Sequence, residues 1–163
     1  MRDHPRDRAA AFCTRYGLRL PVLLAPMAGA CPPSLSIAVA NAGGMGAMGA
    51  LMSSPTQIGD WVTAFRSASR GPFQLNIWLP DPPPHRDADN EARLRTFLAG
   101  WGPDVPTTAG DAVPPDVREQ CEAFLELRPT AVSSIMGLYQ PAFVTRLKEA
   151  GIAWFATATA PAA

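Results

Sequence analysis

Two kinds of hydrophobic pattern alternate along the chain, and together they predict parallel strands joined by helices. Short apolar runs bounded by proline or glycine are typical of strands buried on both faces. These runs lie at residues 21–26, 45–50, 73–79, 130–135 and 152–157. Between them, apolar residues recur at helical spacing, which predicts helices. The predicted helices lie at residues 33–42 and 89–98, and from Pro55, Pro115 and Pro141 onward.

The alternation of strands and helices predicts an α/β fold with a mostly parallel sheet. Such a sheet forms either an open doubly wound structure or a (β/α)8 barrel, which needs eight strands and about 250 residues. The length of 163 residues suits one domain. We therefore expect residues 1–163 to form a single domain, with an irregular proline-rich insertion at residues 80–115.

The sequence GGMGAMGA at residues 43–50 contains the spacing G-x-G-x-x-G. This spacing binds a dinucleotide only where a strand leads into it and a helix begins inside it. Here a predicted helix precedes it, and the next helix begins only at Pro55, after Ser54 as its N-cap. We interpret Gly43 as a helix stop, followed by a strand of small residues. Glycines in such a strand indicate close approach of another backbone or a flat ligand, or tight packing inside a barrel.

The composition argues against nucleic-acid binding, membrane insertion and secretion. Lys plus Arg and Asp plus Glu number 14 each, so no net charge attracts nucleic acid or an anionic membrane. No apolar run reaches the roughly 20 residues of a membrane span. The charged N-terminus lacks the apolar region of a signal peptide, and His4 within it is expected to be a solvated surface residue. The cysteines are odd in number and widely spaced, which indicates reduced, buried thiols in a cytoplasmic protein. They are Cys13, Cys31 and Cys121.

Ligands of parallel α/β folds bind beyond the carboxyl ends of the strands. The residues expected there are small and neutral: Ala25, Pro26, Met27, Asn76, Ser133, Ser134 and Thr157. They include no carboxylate pair, no His/Cys cluster and no Ser/His/Asp set, which disfavours hydrolytic and metal chemistry. A neutral site with apolar walls suits a large planar ligand that brings its own reactivity.

Several of these residues also have an ordinary structural interpretation. The amide of Asn76 either caps its own sheet end or binds a ligand. Met27 either fills the core or stacks on a flat ring. The large aromatic residues of the third and fifth predicted strands are expected in the core: Trp78, Trp154 and Phe155.

Three segments resemble one enzyme family. They are PVLLAPMAGACPPSLSIAVANAGGMGAMGALMSSPTQIGDWVTAFR, PFQLNIWLP and AVSSIMGLYQPAFVTRLKEAGIAWFATATA. They resemble the N-terminal portion of the nitronate monooxygenases, also called 2-nitropropane dioxygenases, which are FMN-dependent (β/α)8 barrels. The A-P-M-A-G and A-G-G-M-G-A-M-G-A motifs carry the resemblance, and FMN-dependent enoyl-acyl-carrier-protein reductases share them in looser form.

The resemblance implies a TIM-type (β/α)8 barrel, here an incomplete barrel of about five parallel strands. It places the A-P-M segment against the flavin ring and Asn76 beside FMN and substrate. With two strand-end hydroxyls added, the predicted cofactor-binding residues are Ala25, Pro26, Met27, Asn76, Ser134 and Thr157. No catalytic residue and no metal ligand is predicted.

The implied reaction is oxidation of an alkyl nitronate with dioxygen to a carbonyl compound and nitrite. The family's catalytic histidine, in a G-H-x-G context, and its phosphate-binding loops have no counterpart here, since His4 and His85 are the only histidines. We therefore expect the chain alone to bind FMN weakly or not at all, and to self-associate through exposed sheet edges. Two alternatives stay open: a truncated, non-catalytic α/β domain that has lost the flavin site, and a reductase of the enoyl-acyl-carrier-protein type.

Overall fold

The computed structural model describes residues 4–79, 81 and 85–157. The chain divides into two compact units. The first contains Met1–Leu79 and Pro115–Ala163, and the second contains Pro80–Pro114.

The first unit is built on a four-stranded sheet whose strands are all parallel and follow chain order. The strands are β1 (Gly46–Gly49), β2 (Phe73–Trp78), β3 (Ala131–Ile135) and β4 (Ala153–Ala156). The register pairs Gly49 with Asn76, Asn76 with Ser133, and Ser133 with Phe155. The predicted α/β fold with a parallel sheet is confirmed.

Helices connect the strands, and their boundaries follow local signals. In chain order they are α1 (Pro5–Tyr16), α2 (Pro33–Asn41), α3 (Pro55–Ala68), α4 (Ala88–Ala99), α5 (Val117–Leu127) and α6 (Pro141–Glu149). Ser54 caps α3, and its side chain and that of Gln57 exchange backbone hydrogen bonds in a capping box. Gly43 follows α2 with φ +101°, a conformation that favours glycine. Both signals were predicted from the sequence and are confirmed.

The two faces of the sheet differ. One face packs against α2, α3, α5 and α6 and forms the hydrophobic core. Its largest fully buried side chains include Phe65, Phe124, Leu75, Ile77 and Leu147, and each contributes about 1.5–3 kcal/mol on burial. Because side chains alternate along a strand, the other face carries Gln74, Asn76, Trp78, Ser133 and Phe155. We call it the open face.

Residues 21–26 do not form the predicted buried strand. They pair with the β1 segment only at an isolated bridge, Leu23 with Met45, and Ala28 further along bridges Gly49. Val22 is 52% exposed. The prolines at 21 and 26 have no N–H to donate, so a continuous ladder cannot form through them. The four regular strands are therefore accompanied by a fifth, irregular segment.

The charged N-terminus forms the helix α1, which the hydrophobic pattern does not predict, and His4 is exposed as expected. His4 caps α1, its Nδ1 accepting from the backbone N–H of Arg6 at 3.2 Å. Phe12 and Tyr16 then contact the ring of Phe155, with centroid separations of 6.4 and 5.3 Å. The apolar residues of α1 thus pack on the open face, while its charges face water.

The second unit contains α4, as predicted, and a 3₁₀ turn at Ala109–Asp111. The Arg86 guanidinium binds the carboxylates of Glu91 and Asp111. These contacts raise the pKa of Arg86 and lower the pKa of Glu91 below its usual range. The ion pairs join the start of α4 to the turn. Among all described helices, none combines the length and apolarity that crossing a bilayer requires.

Candidate functional site

A cleft of about 610 Å³ opens on the open face, at the carboxyl ends of the strands. Its apolar walls include Leu23, Leu51, Trp78, Ile135 and Phe155. Its polar side chains include Gln74, Asn76 and Ser133. This volume lies within the usual range for small-molecule sites, roughly 300–1,000 Å³.

Strand alternation explains which side chains reach the cleft. Gln74, Asn76 and Trp78 project from one side of β2, and the register places Ser133 beside Asn76. None of the core helices in the described part of the chain covers this side, and Trp78 is 45% exposed. The prediction that Trp78 lies in the core is therefore wrong.

The amides of Gln74 and Asn76 have a fixed orientation. Asn76 Nδ2 donates to Ser133 Oγ at 2.9 Å and to the Ser133 carbonyl at 3.3 Å, and Gln74 Nε2 donates to the Leu24 carbonyl at 3.2 Å. A backbone carbonyl only accepts, so the amide nitrogens must face these groups. Within the described residues, no donor binds the two amide oxygens. The cleft therefore offers hydrogen-bond acceptors to a ligand.

Tyr139 adds a further contact at the end of β3. Its hydroxyl donates to the Ser133 carbonyl at 3.3 Å, the same oxygen that Asn76 binds. The phenol is buried, and burial raises its pKa. A protonated Tyr139 thus holds the carbonyl that orients Asn76.

Three of the four glycines of the GGMGAMGA segment lie against backbone. A Cβ on Gly44 would lie 2.8 Å from the Val22 carbonyl, and one on Gly46 would lie 2.9 Å from the Ser36 carbonyl. A Cβ on Gly49 would lie 2.6 Å from Ala28 N. Of the interpretations open from the sequence, close backbone approach applies at all three positions. Since α2 precedes β1 and α3 follows it, the segment is not a dinucleotide fingerprint.

The predicted cofactor-binding residues divide into two groups. Pro26, Asn76, Ser134 and Thr157 line the cleft. Ala25 and Met27 are not among its lining residues, and Met27 is 40% exposed.

Among the polar residues of the cleft wall, Gln74 is not predicted from the sequence, and Ser133 is expected at the strand ends but is not in the predicted cofactor-binding set. Ser134 is a predicted cofactor-binding residue and borders the cleft, yet it is only 3% exposed and its hydroxyl accepts from the Trp154 indole N–H at 3.1 Å. The neighbouring Ser133 shares the face of Asn76, as Gln74 does. The two-residue period of a strand, counted from Asn76, would have identified Gln74, and the same count in β3 would have separated Ser133 from Ser134.

Electrostatically, the cleft is neutral. Among its described lining residues none has a side chain that ionises near neutral pH, and the described chain holds no group of three or more potential metal ligands. His4 caps α1, and His85 lies beside Arg86 in the second unit. Neither histidine lines the cleft.

A parallel sheet with helices on one face and a cleft at its strand ends defines the class as α/β, of the TIM-type barrel family. Solved structures agree. A nitroalkane oxidase from Streptomyces ansochromogenes superposes with a TM-score of 0.72 at 26% identity, over 91% of this chain and 42% of that one. FabK from Thermotoga maritima superposes with a TM-score of 0.62 over 90% of this chain and 36% of that one, and at 21% identity it shows the fold alone.

Sequence comparison defines the family. The sequence model described as nitronate monooxygenase matches residues 12–163. A nitronate monooxygenase from Paraburkholderia phytofirmans is 31% identical over 91% of this chain, and one from Pseudomonas aeruginosa is 28% identical over 92%. The chain belongs to the nitronate monooxygenase family, which confirms the resemblance found in the sequence. It spans 42% and 44% of the length of these two relatives.

Proposed function

We propose that this chain supplies part of the flavin- and substrate-binding surface of an FMN-dependent oxidoreductase. The proposed reaction is oxidation of an alkyl nitronate with dioxygen to a carbonyl compound and nitrite. The proposal is supported by one observation: a chain of this family has a cleft at the carboxyl ends of β2 and β3. The free cysteines support a cytoplasmic location.

The described residues of the cleft fit the ring of FMN. Trp78 and Ile135 offer apolar surface to a flat ring, and the oxygen of either Gln74 or Asn76 can accept from the single ring N–H of an oxidised flavin. Bound FMN supplies the redox chemistry, while the chain's residues orient the ring and exclude water. No described lining residue is cationic, so these residues offer no charged partner to the phosphate. We therefore expect riboflavin and FMN to bind alike.

The test is a titration of each flavin with the chain, followed by quenching of flavin fluorescence. We expect weak binding, with a Kd of roughly 10–100 µM for both flavins and a difference below about threefold. Asn76→Leu removes the acceptor and weakens binding by about tenfold. Asn90→Leu, on α4 in the second unit, is the matched control and leaves the Kd unchanged. An absence of quenching at about 1 mM chain would contradict the proposal.

A second candidate is a flavin-binding domain without catalysis. The absence of a cationic side chain among the described lining residues favours it, because a nitronate is an anion and a charge that leaves water needs a partner. The two candidates are distinguished by measuring the nitrite formed when the chain, saturating FMN and propyl-2-nitronate are mixed in air. More nitrite than in a blank with FMN alone supports the oxidoreductase. Flavin binding without nitrite formation supports the non-catalytic domain.

A further inference from the structure

The buried thiol of Cys31 binds the backbone on both sides of Pro26. Cys31 Sγ donates to the Ala25 carbonyl at 3.3 Å and accepts from Met27 N–H at 3.3 Å. Pro26 itself has no N–H. One side chain therefore satisfies the two backbone groups that flank the proline of the A-P-M segment.

Cys31 is itself anchored to the core. Its carbonyl accepts from the Trp61 indole N–H at 2.9 Å in a buried hydrogen bond. Trp61 lies on α3 and stacks on Phe65, with ring centroids 5.5 Å apart. The position of the thiol is thus set by a well-packed helix, which makes it a rigid attachment point for the segment.

The other side of the same loop rests on β1. Ala28 bridges Gly49, with no room between them for a Cβ. The loop is held between the end of β1 and the Cys31 thiol, and both Pro26 and Ala28 line the cleft. A displacement of the loop therefore changes the shape of the cleft wall.

We propose that Cys31 is a positioning residue of the cleft, whose thiol fixes the backbone of residues 25–27 for flavin binding. The role in binding rests on the proposed function, whereas the effect on the loop does not. A group at this position must both donate and accept, as a thiol or hydroxyl does. Alanine does neither, and it leaves the Ala25 carbonyl and the Met27 N–H without this partner.

The test compares Cys31→Ala with Cys31→Ser and with Cys121→Ala, which deletes a second buried thiol away from the cleft lining. Riboflavin affinity, thermal unfolding and exchange of the Met27 amide hydrogen are measured for each. We expect Cys31→Ala to weaken riboflavin binding and to accelerate Met27 exchange, each by about tenfold. Cys31→Ser stays within about threefold of the original chain in both. Cys121→Ala lowers the unfolding temperature but changes neither the riboflavin affinity nor the exchange rate of the Met27 amide hydrogen.

Equal Kd values for Cys31→Ala and Cys121→Ala, with equal Met27 exchange, would overturn the proposal and leave Cys31 as core filling. Failure of the original chain to bind riboflavin, with Met27 exchange still dependent on Cys31, would refute the flavin function alone. If the exchange rate of the Met27 amide hydrogen does not change with the side chain at position 31, the positioning role is refuted, whether or not riboflavin binds.

Discussion

Replacing Gly49 with alanine tests how closely the A-P-M loop approaches β1. A Cβ at position 49 would lie 2.6 Å from Ala28 N and 2.8 Å from the Met27 carbonyl carbon, whereas ordinary contact begins at 3.4 Å. The loop must therefore move by about 0.8 Å. Gly49 is not among the positive-φ glycines of the described chain, so the cost is steric and involves no backbone strain.

Forcing extra volume into such a contact costs about 1–3 kcal/mol. In a chain of this size each kcal/mol lowers the unfolding temperature by about 2–4 °C. We therefore expect Gly49→Ala to unfold about 2–12 °C below the original chain. Because Pro26 and Ala28 line the cleft, the same displacement should also weaken riboflavin binding.

Gly59→Ala is the matched control, and it is expected to change the unfolding temperature in the opposite direction. Gly59 lies inside α3, and a Cβ there meets nothing within 4 Å. Alanine in a helix interior stabilises by about 1 kcal/mol relative to glycine, so this variant should unfold at a higher temperature. Thermal unfolding followed by circular dichroism measures both. A Gly49→Ala chain as stable as the original would refute the close approach.

Two further substitutions test the core and a helix cap. Ser54→Ala removes the capping box of α3 and should lower the free energy of unfolding in urea by about 1 kcal/mol. Ser67→Ala, in the same helix, is the control and should lower it by less. An equal loss in both variants would contradict the capping role. Burial raises the pKa of the Cys121 thiol from 9.0 to about 11. Its contribution to stability is therefore full below about pH 9 and is lost as the pH rises toward 11. Between pH 8 and pH 10.5, the free energy of unfolding in urea should fall less for Cys121→Ala than for the original chain. An equal fall in both chains would contradict this role of Cys121.

Local signals predicted the helices well because each boundary is set by nearby residues. Proline occupies the first position of α2, α3 and α6 and needs no N–H partner there. Gly43 and Gly151 follow α2 and α6 with positive φ, which glycine adopts without strain. These effects act within one turn of helix, so the sequence pattern alone reveals them.

The errors arose where tertiary structure decides burial. Val22 is apolar but lies where no described strand covers it, and Trp78 is apolar but projects from the face of β2 opposite the core. The helix α1 was missed because its exposed surface is charged, while Phe12 and Tyr16 find their partner in Phe155, far along the chain. Composition near a residue cannot supply such long-range partners.

The candidate site was predicted in part for the same reason. Strand ends identified Asn76 and Pro26 as residues of one edge of the sheet, and both line the cleft. The contacts that orient Asn76 depend on Ser133 and Tyr139, which join it only through the register of β2 and β3. The role of Cys31 likewise depends on loop geometry that no spacing rule describes.

The most direct test of the central claim, that the cleft on the open face binds a flavin ring, is an NMR titration of the ¹⁵N-labelled chain with riboflavin. We predict that the side-chain amide signals of Gln74 and Asn76 and the indole signal of Trp78 shift first. The indole signal of Trp61, within the core, should shift much less. Shifts confined to the second unit, or none in Asn76 and Trp78, would contradict the claim.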